Sequence, residues 1–188
     1  MGRWEPDAAG RFRAAAMELF VERGYEQTTV ADIAERAGLT RRTFFRYFAD
    51  KREVLFNGSE RLQNLMVDAL VNAPAHATAI EAVAAALDAT AGFFGDNREF
   101  ARQRLAVITA NADLRERELI KFATLSAALA EALRGRGIVE PDASLAGEAG
   151  IAVFRVAFGR WVGESEQRGF GDIVRESMAR LRALAAIG

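Results

Sequence analysis

The chain has no cysteine and one histidine, His76. Disulfides, thiolate metal sites and cysteine nucleophiles are therefore excluded, and a single imidazole cannot build a histidine-rich metal centre. No phosphate-binding loop and no paired histidine–carboxylate spacing occur, so an enzyme built on a helical bundle is a poor rival reading. No catalytic residue, metal ligand or cofactor is expected. Long apolar runs are missing too. The richest stretch, residues 80–94, is interrupted by Glu81 and Asp88 and is too short and too charged to span a bilayer. The first ten residues carry Arg3, Glu5 and Asp7 and no apolar core of a signal peptide. A cytoplasmic protein with no membrane partner is the expectation, and the lack of cysteine fits a reducing compartment.

Strand signals are nearly absent as well, because no period-2 alternation is sustained and Ala, Leu, Glu and Arg dominate. What remains is a soluble globular composition, 51% hydrophobic and 27% charged, which is not that of a disordered chain. The net charge of -1 conceals an asymmetry. Residues 36–52 hold six bases (Arg36, Arg41, Arg42, Arg46, Lys51, Arg52) against Asp50 alone, whereas residues 53–188 hold 15 bases and 18 acids. A local basic patch on a neutral-to-acidic body suits a nucleic-acid-reading head, although small charge clusters are more often solvated surface.

Glycine, proline and capping residues divide the chain into about nine helices, an all-α architecture. The first spans residues 7–23 and ends at Gly24, with Phe12, Ala15, Ala16, Leu19 and Phe20 as its apolar stripe. A short helix from Thr29 ends at Gly38, and Thr40 caps a third through Phe48. Asp50 with Glu53, Asp96 with Glu99 and Asp113 with Glu116 are expected capping boxes. The first of these opens a long fourth helix to Asn72, read as a rigid connector between a head (residues 1–52) and a body (residues 53–188). Further helices are expected over residues 78–94, to about 110, to about 134, over 142–167 and over 172–187.

The informative stretch is residues 28–51, TTVADIAERAGLTRRTFFRYFADK. Gly38 permits a sharp turn between two short helices and Leu39 can plug their angle. Phe44 and Phe48, at i and i+4, face the core supplied by the first helix. Arg41, Arg42 and Arg46 then lie outward on a helix of a size that enters a major groove, where arginine can fork onto guanine. Thr29, Thr40 and Lys51 stand near helix starts, where phosphates are positioned. An isolated arginine is more simply a solvated cation. The conjunction of turn glycine, capped short helices and one basic face favours DNA.

With AMELFVERGYEQ before it and REVLF after it, this segment resembles the DNA-binding domain of the TetR family of bacterial regulators. The resemblance covers about the first 56 residues. It implies an all-helical homodimer on a double-stranded, palindromic operator, with the last two helices forming the dimer interface and a ligand cavity in each body. It places Arg41, Arg42 and Thr43 at base-reading positions and Tyr47 and Lys51 at phosphate contacts. Phe45 stands where many members have tyrosine, and Ala31 where others carry a base, so affinity leans on the arginines.

In the body, Gly147, Gly150, Gly159 and Gly163, with Ala146, Ala149 and Ala157, form a low surface for a partner helix, and Val174, Met178, Leu181 and Ala185 offer a second stripe. Intramolecular packing is the alternative for both. Phe93, Phe94, Phe100, Phe122, Phe154, Phe158 and Trp161 either line a pocket or fill a core. Arg98, Arg102 and Arg104 could receive an anion, and a fatty acyl thioester such as an acyl-CoA is an admissible effector by the resemblance. The expected function is a repressor released by a small apolar or amphipathic ligand. A DNA-binding regulator with a fully packed, non-sensing body is the alternative.

Overall fold

Asp7 opens the first helix by accepting the Gly10 N–H at 3.0 Å, and Gly24, at φ 87°, closes it. The structure is a computed structural model describing residues 7–95, 97–163 and 167–186. Among these residues there are ten α-helices, one 3-10 turn and no strand, so the all-α class holds. Contacts divide the chain into two compact units, Met1–Asn57 with Gln103–Glu118, and Gly58–Arg102 with Leu119–Gly188. The first unit contains α1 (Ala8–Arg23), α2 (Val30–Arg36), α3 (Arg41–Tyr47) and α4 (Glu53–Phe56). The second contains α5 (Ser59–Val71), α6 (Ala79–Ala89), the 3-10 turn Thr90–Gly92, α9 (Asp142–Trp161) and α10 (Phe170–Ala185). The helices α7 (Arg98–Ala110) and α8 (Ala112–Gly135) give residues to both.

The fourth helix is not the continuous rod expected. It breaks at Asn57 and Gly58 into α4 and α5, with Gly58 at φ 97°, a left-handed conformation that glycine adopts without steric cost. The capping box proposed to open it is half formed. Asp50 accepts from the Arg52 and Glu53 N–H groups at 2.8 and 3.2 Å, but the Glu53 carboxylate pairs with Arg117 at 2.7 Å. Asp113 lies inside the first turn of α8 and so does not begin a box, while Asp96 lies outside the described residues. The helix expected over 78–94 ends at Ala89. Thr90 there donates to the Leu87 carbonyl at 2.6 Å and the chain tightens into the 3-10 turn.

In the second unit α5 packs on α6, α6 on α9 and α10, and α9 on α10. A Cβ on Gly147 would lie 2.9 Å from the Ser126 carbonyl oxygen of α8, and one on Gly150 would lie 2.6 Å from Val83 of α6. These glycines, with buried Ala146 and Ala157, bring together helices of one chain rather than receive a partner helix. Val174 and Met178 are likewise buried inside the chain. Arg136 caps the end of α5 by donating to the Val71, Ala73 and Pro74 carbonyls, which a helix C-terminus would otherwise leave unpaired. No helix among the described residues is long and apolar enough to cross a membrane.

Candidate nucleic-acid interface

α2 and α3 are built to meet at a fixed angle. Thr29 and Asp32 form a reciprocal capping box at the start of α2, at 3.2 and 2.8 Å. At its end the Leu39 N–H reaches the Ala34 carbonyl and the Gly38 N–H reaches that of Glu35, both at 2.9 Å, with Gly38 at φ 64°. This is a Schellman stop, and it requires the left-handed residue. Thr40 then caps α3, accepting the Thr43 N–H at 3.1 Å. The two helices rest on α1 through Phe12, Phe44 and Phe48, all buried, with ring centroids 5.2–6.2 Å apart. Arg11 of α1 adds a tie not foreseen from the sequence: its guanidinium donates to the Ala37 and Gly38 carbonyls. No local spacing signals that contact, because it closes across 26 residues.

The outward side of α3 carries Arg41, Arg42, Phe45, Arg46 and Tyr47, all exposed, with Thr43 half-buried. Arg41 and Arg42 make no hydrogen bond or ion pair with the described residues. Arg46 lies 5.0 Å above the Tyr47 ring and donates to its hydroxyl at 3.1 Å. Phe45 is 52% exposed and Tyr47 42% exposed, with Tyr47 also leaning on Phe12 at 6.5 Å. Thr29 and Thr40 are exposed caps, so their hydroxyls already serve the backbone.

The other cations of the stretch are occupied within the protein. Arg36 pairs with Glu22 and Glu18 at 2.9 and 3.0 Å; those carboxylates, Glu22 first, hold its pKa above the usual arginine value. Arg52 pairs with Asp50 at 2.8 Å, and that bond lowers the Asp50 pKa. Lys51 is half-buried; it donates to the Tyr25 and Thr28 carbonyls at 2.7 and 2.9 Å and sits 4.0 Å over the Tyr25 ring. Burial pushes its pKa down and raises that of Tyr25 to about 12. An ammonium has three donors, which leaves one for a phosphate.

In the second unit the aromatic residues come together as a packed cluster. Phe94 touches Phe93, Phe154, Phe158, Trp161 and Phe170, with centroids 5.1–6.2 Å apart. Phe122 meets Phe154 at 6.3 Å, and Phe100 is half-buried on α7. A depression of about 400 Å³ lies beside Phe93, between α5 (Arg61, Asn64, Leu65, Asp68) and Ala89 and Gly92. The arginines proposed for an anion are committed elsewhere. Arg98 donates to the Arg168 carbonyl, Arg102 to that of Val162 at the end of α9, and Arg104 to that of Leu55. At Val162 the cation also meets the partially negative C-terminus of α9.

The sequence pattern described as "Bacterial regulatory proteins, tetR family" matches residues 12–57, from Phe12 of α1 through the turn and α4. The "MftR C-terminal domain" of the same family matches residues 77–186. The chain belongs to the TetR family. That family is one of bacterial regulatory proteins. It is similar to the regulator TcmR of Streptomyces glaucescens, at 40% identity over 77 residues, 41% of this chain and 34% of TcmR. The matched stretch therefore spans about a third of that relative's length. The crystal structure of the TetR repressor FadR from Thermus thermophilus, in complex with lauroyl-CoA, is 25% identical and superposes with a TM-score of 0.58 over 96% of this chain and 95% of that one. A TetR-family regulator from Syntrophomonas wolfei, 17% identical, shares the fold with a TM-score of 0.68 over 97% and 98% of the two chains.

Proposed function

We propose that the chain is a homodimeric repressor that reads a palindromic operator through Arg41, Arg42 and Thr43. The observation that carries this reading is the pair of arginines on α3 that are exposed and, among the described residues, unpartnered; the angle of α3 to α1 and α2 is fixed by Gly38 and Arg11. Thr29, Thr40, Phe45, Arg46, Tyr47 and the remaining Lys51 donor border that face and would lie along the DNA backbone. A two-fold dimer would present two heads to half-sites about 34–36 Å, or a multiple, apart. The dimer surface we favour is the outward side of α9, where Leu145, Ala149, Ala152, Val156 and Gly159 follow a 4-3-4-3 spacing. Leu145, Ala152, Val156 and Gly159 are exposed, and Gly159 has open space where a Cβ would stand.

The effector proposed is a small amphipathic molecule of the fatty acyl thioester class, on the likeness to the FadR structure with lauroyl-CoA. Such a ligand would favour a body conformation incompatible with operator binding, and only a difference in affinity between the two forms can shift their populations. The closed packing around Phe94 supports a second reading, a regulator whose body senses nothing.

Selection of bound duplexes from a random library tests the DNA reading and should return a palindrome. Arg42→Ala should then relax preference at one base pair per half-site by about 1–3 kcal/mol; an unchanged preference overturns the assignment of α3. Operator affinity with and without lauroyl-CoA separates the sensing reading from the non-sensing one. Equal values exclude that thioester as inducer.

A further inference from the structure

The helical run of α4 ends in a tight turn at Asn57 and Gly58. Asn57, at φ -59° and ψ 128°, and Gly58, at φ 97° and ψ -7°, have the dihedral angles of the two central residues of a type II turn. The second position needs a left-handed residue, which glycine supplies by having no Cβ. The Gly58 N–H makes no hydrogen bond with the described residues. The Asn57 side chain is exposed, and its carboxamide is likewise unbonded among the described residues. An electrophilic carboxamide carbon and an uncommitted backbone nitrogen are thus neighbours, with no side chain on Gly58 to hinder a five-membered ring. The chain's four other asparagines lack this combination. Asn64, Asn72, Asn97 and Asn111 precede Leu65, Ala73, Arg98 and Ala112, whose Cβ atoms crowd the nitrogen. Asn64 lies inside α5, and Asn72 and Asn111 hold their carboxamides on the Asp68 and Val107 carbonyls at 2.8 and 2.7 Å.

We propose that Asn57–Gly58 is a self-modification site, where the chain converts its own asparagine to aspartate and isoaspartate with water as the only co-reactant. Rotation about the Asn57 Cα–C bond brings the Gly58 nitrogen to Cγ. The nitrogen bonds to Cγ, the Cγ–Nδ2 bond breaks, and Nδ2 leaves as ammonia with the proton that the Gly58 nitrogen gives up. Water then opens the cyclic imide. Addition at Cγ breaks the Cγ–N bond and yields aspartate. Addition at the Asn57 backbone carbonyl breaks the backbone C–N bond and yields isoaspartate, whose chain runs through Cγ. Nothing is oxidised or reduced: one water enters and one ammonia leaves. Either product carries a negative charge that the new chain lacks, so the converted fraction records the age of the molecule. None of this depends on operator binding.

The test is incubation of the folded full-length chain in mildly alkaline buffer, followed by trypsin and peptide mass measurement, with a zero-time sample to correct for conversion during digestion. Trypsin releases residues 53–61, in which Asn57 is the one asparagine. That peptide should gain about 1 Da, and faster than the peptides that carry the other four asparagines. Its rate should be at least about a tenth of that in the same chain unfolded by urea, because the turn leaves both reacting groups unbonded. Asn57→Gln keeps Gly58 and should abolish the gain, since its longer side chain would have to close a six-membered ring. A folded rate below that tenth overturns the proposal, because the turn would then protect the site. So does a faster gain at any other asparagine, or a gain in residues 53–61 that survives Asn57→Gln.

Discussion

Arg42 and Lys51 lie nine positions apart in one basic stretch, and their surroundings give them opposite duties. The guanidinium of Arg42 is exposed and unpartnered among the described residues, whereas the ammonium of Lys51 is already bonded to two carbonyls. Lys51→Met leaves the Tyr25 and Thr28 carbonyls without that donor and should destabilise the protein by about 1–3 kcal/mol, seen as a lower urea midpoint. Glu176 offers a second residue-scale test. Bonds from Arg168, Arg160 and Arg180 lower its pKa from the ordinary 4.5 to about 2. A carboxyl depressed on folding contributes stability above its unfolded pKa and loses it as pH falls towards the folded one. Native protein should therefore lose stability more steeply than Glu176→Gln between about pH 4.5 and pH 2. Added salt should shrink the difference, because these groups face solvent.

At the scale of elements, local chemistry was legible and distant chemistry was not. Thr29, Gly38 and Thr40 act within three or four residues of themselves, and the structure uses each as its type suggests. Arg11 and Arg104 close contacts across 26 and 49 residues, and no spacing rule reaches that far. The fourth helix breaks for a local reason: Asn57–Gly58 is a turn pair, and Gly58 takes φ 97°. Gly147 and Gly150 failed as partner-helix positions for a different reason. Their low profile was legible, but which neighbour used it depended on the tertiary partner. Gly147→Ala should cost about 1–3 kcal/mol, measured by chemical denaturation, because its Cβ would lie 2.9 Å from a backbone oxygen that cannot move aside alone. The aromatic cluster belongs to the same class: residue type pointed to most of its members but missed Phe170, which meets Phe94 at 5.1 Å, and could not say whether they would enclose space.

For the whole molecule, operator affinity and assembly should fall together. Val156 is 58% exposed at the middle of the outward side of α9. A carboxylate there would be desolvated between two copies without a partner. Val156→Glu should give a monomer by light scattering, with the palindromic site bound no better than a half-site. A dimer that persists would place the interface elsewhere.

The internal pairing of Arg36 and Arg52 has a further consequence, in the ionic atmosphere of DNA. A protein cation strengthens binding at low salt by displacing a condensed counterion, and the logarithm of affinity falls with the logarithm of salt by about 0.9 for each phosphate so neutralised. Cations already neutralised by the protein's own carboxylates before DNA arrives, Arg36 and Arg52, displace few. Of the six bases in residues 36–52, the three on α3 and Lys51 remain to do so. The operator complex should consequently tolerate rising ionic strength better than the basic stretch suggests, with more of its affinity held in contacts to particular bases and less in attraction to any duplex.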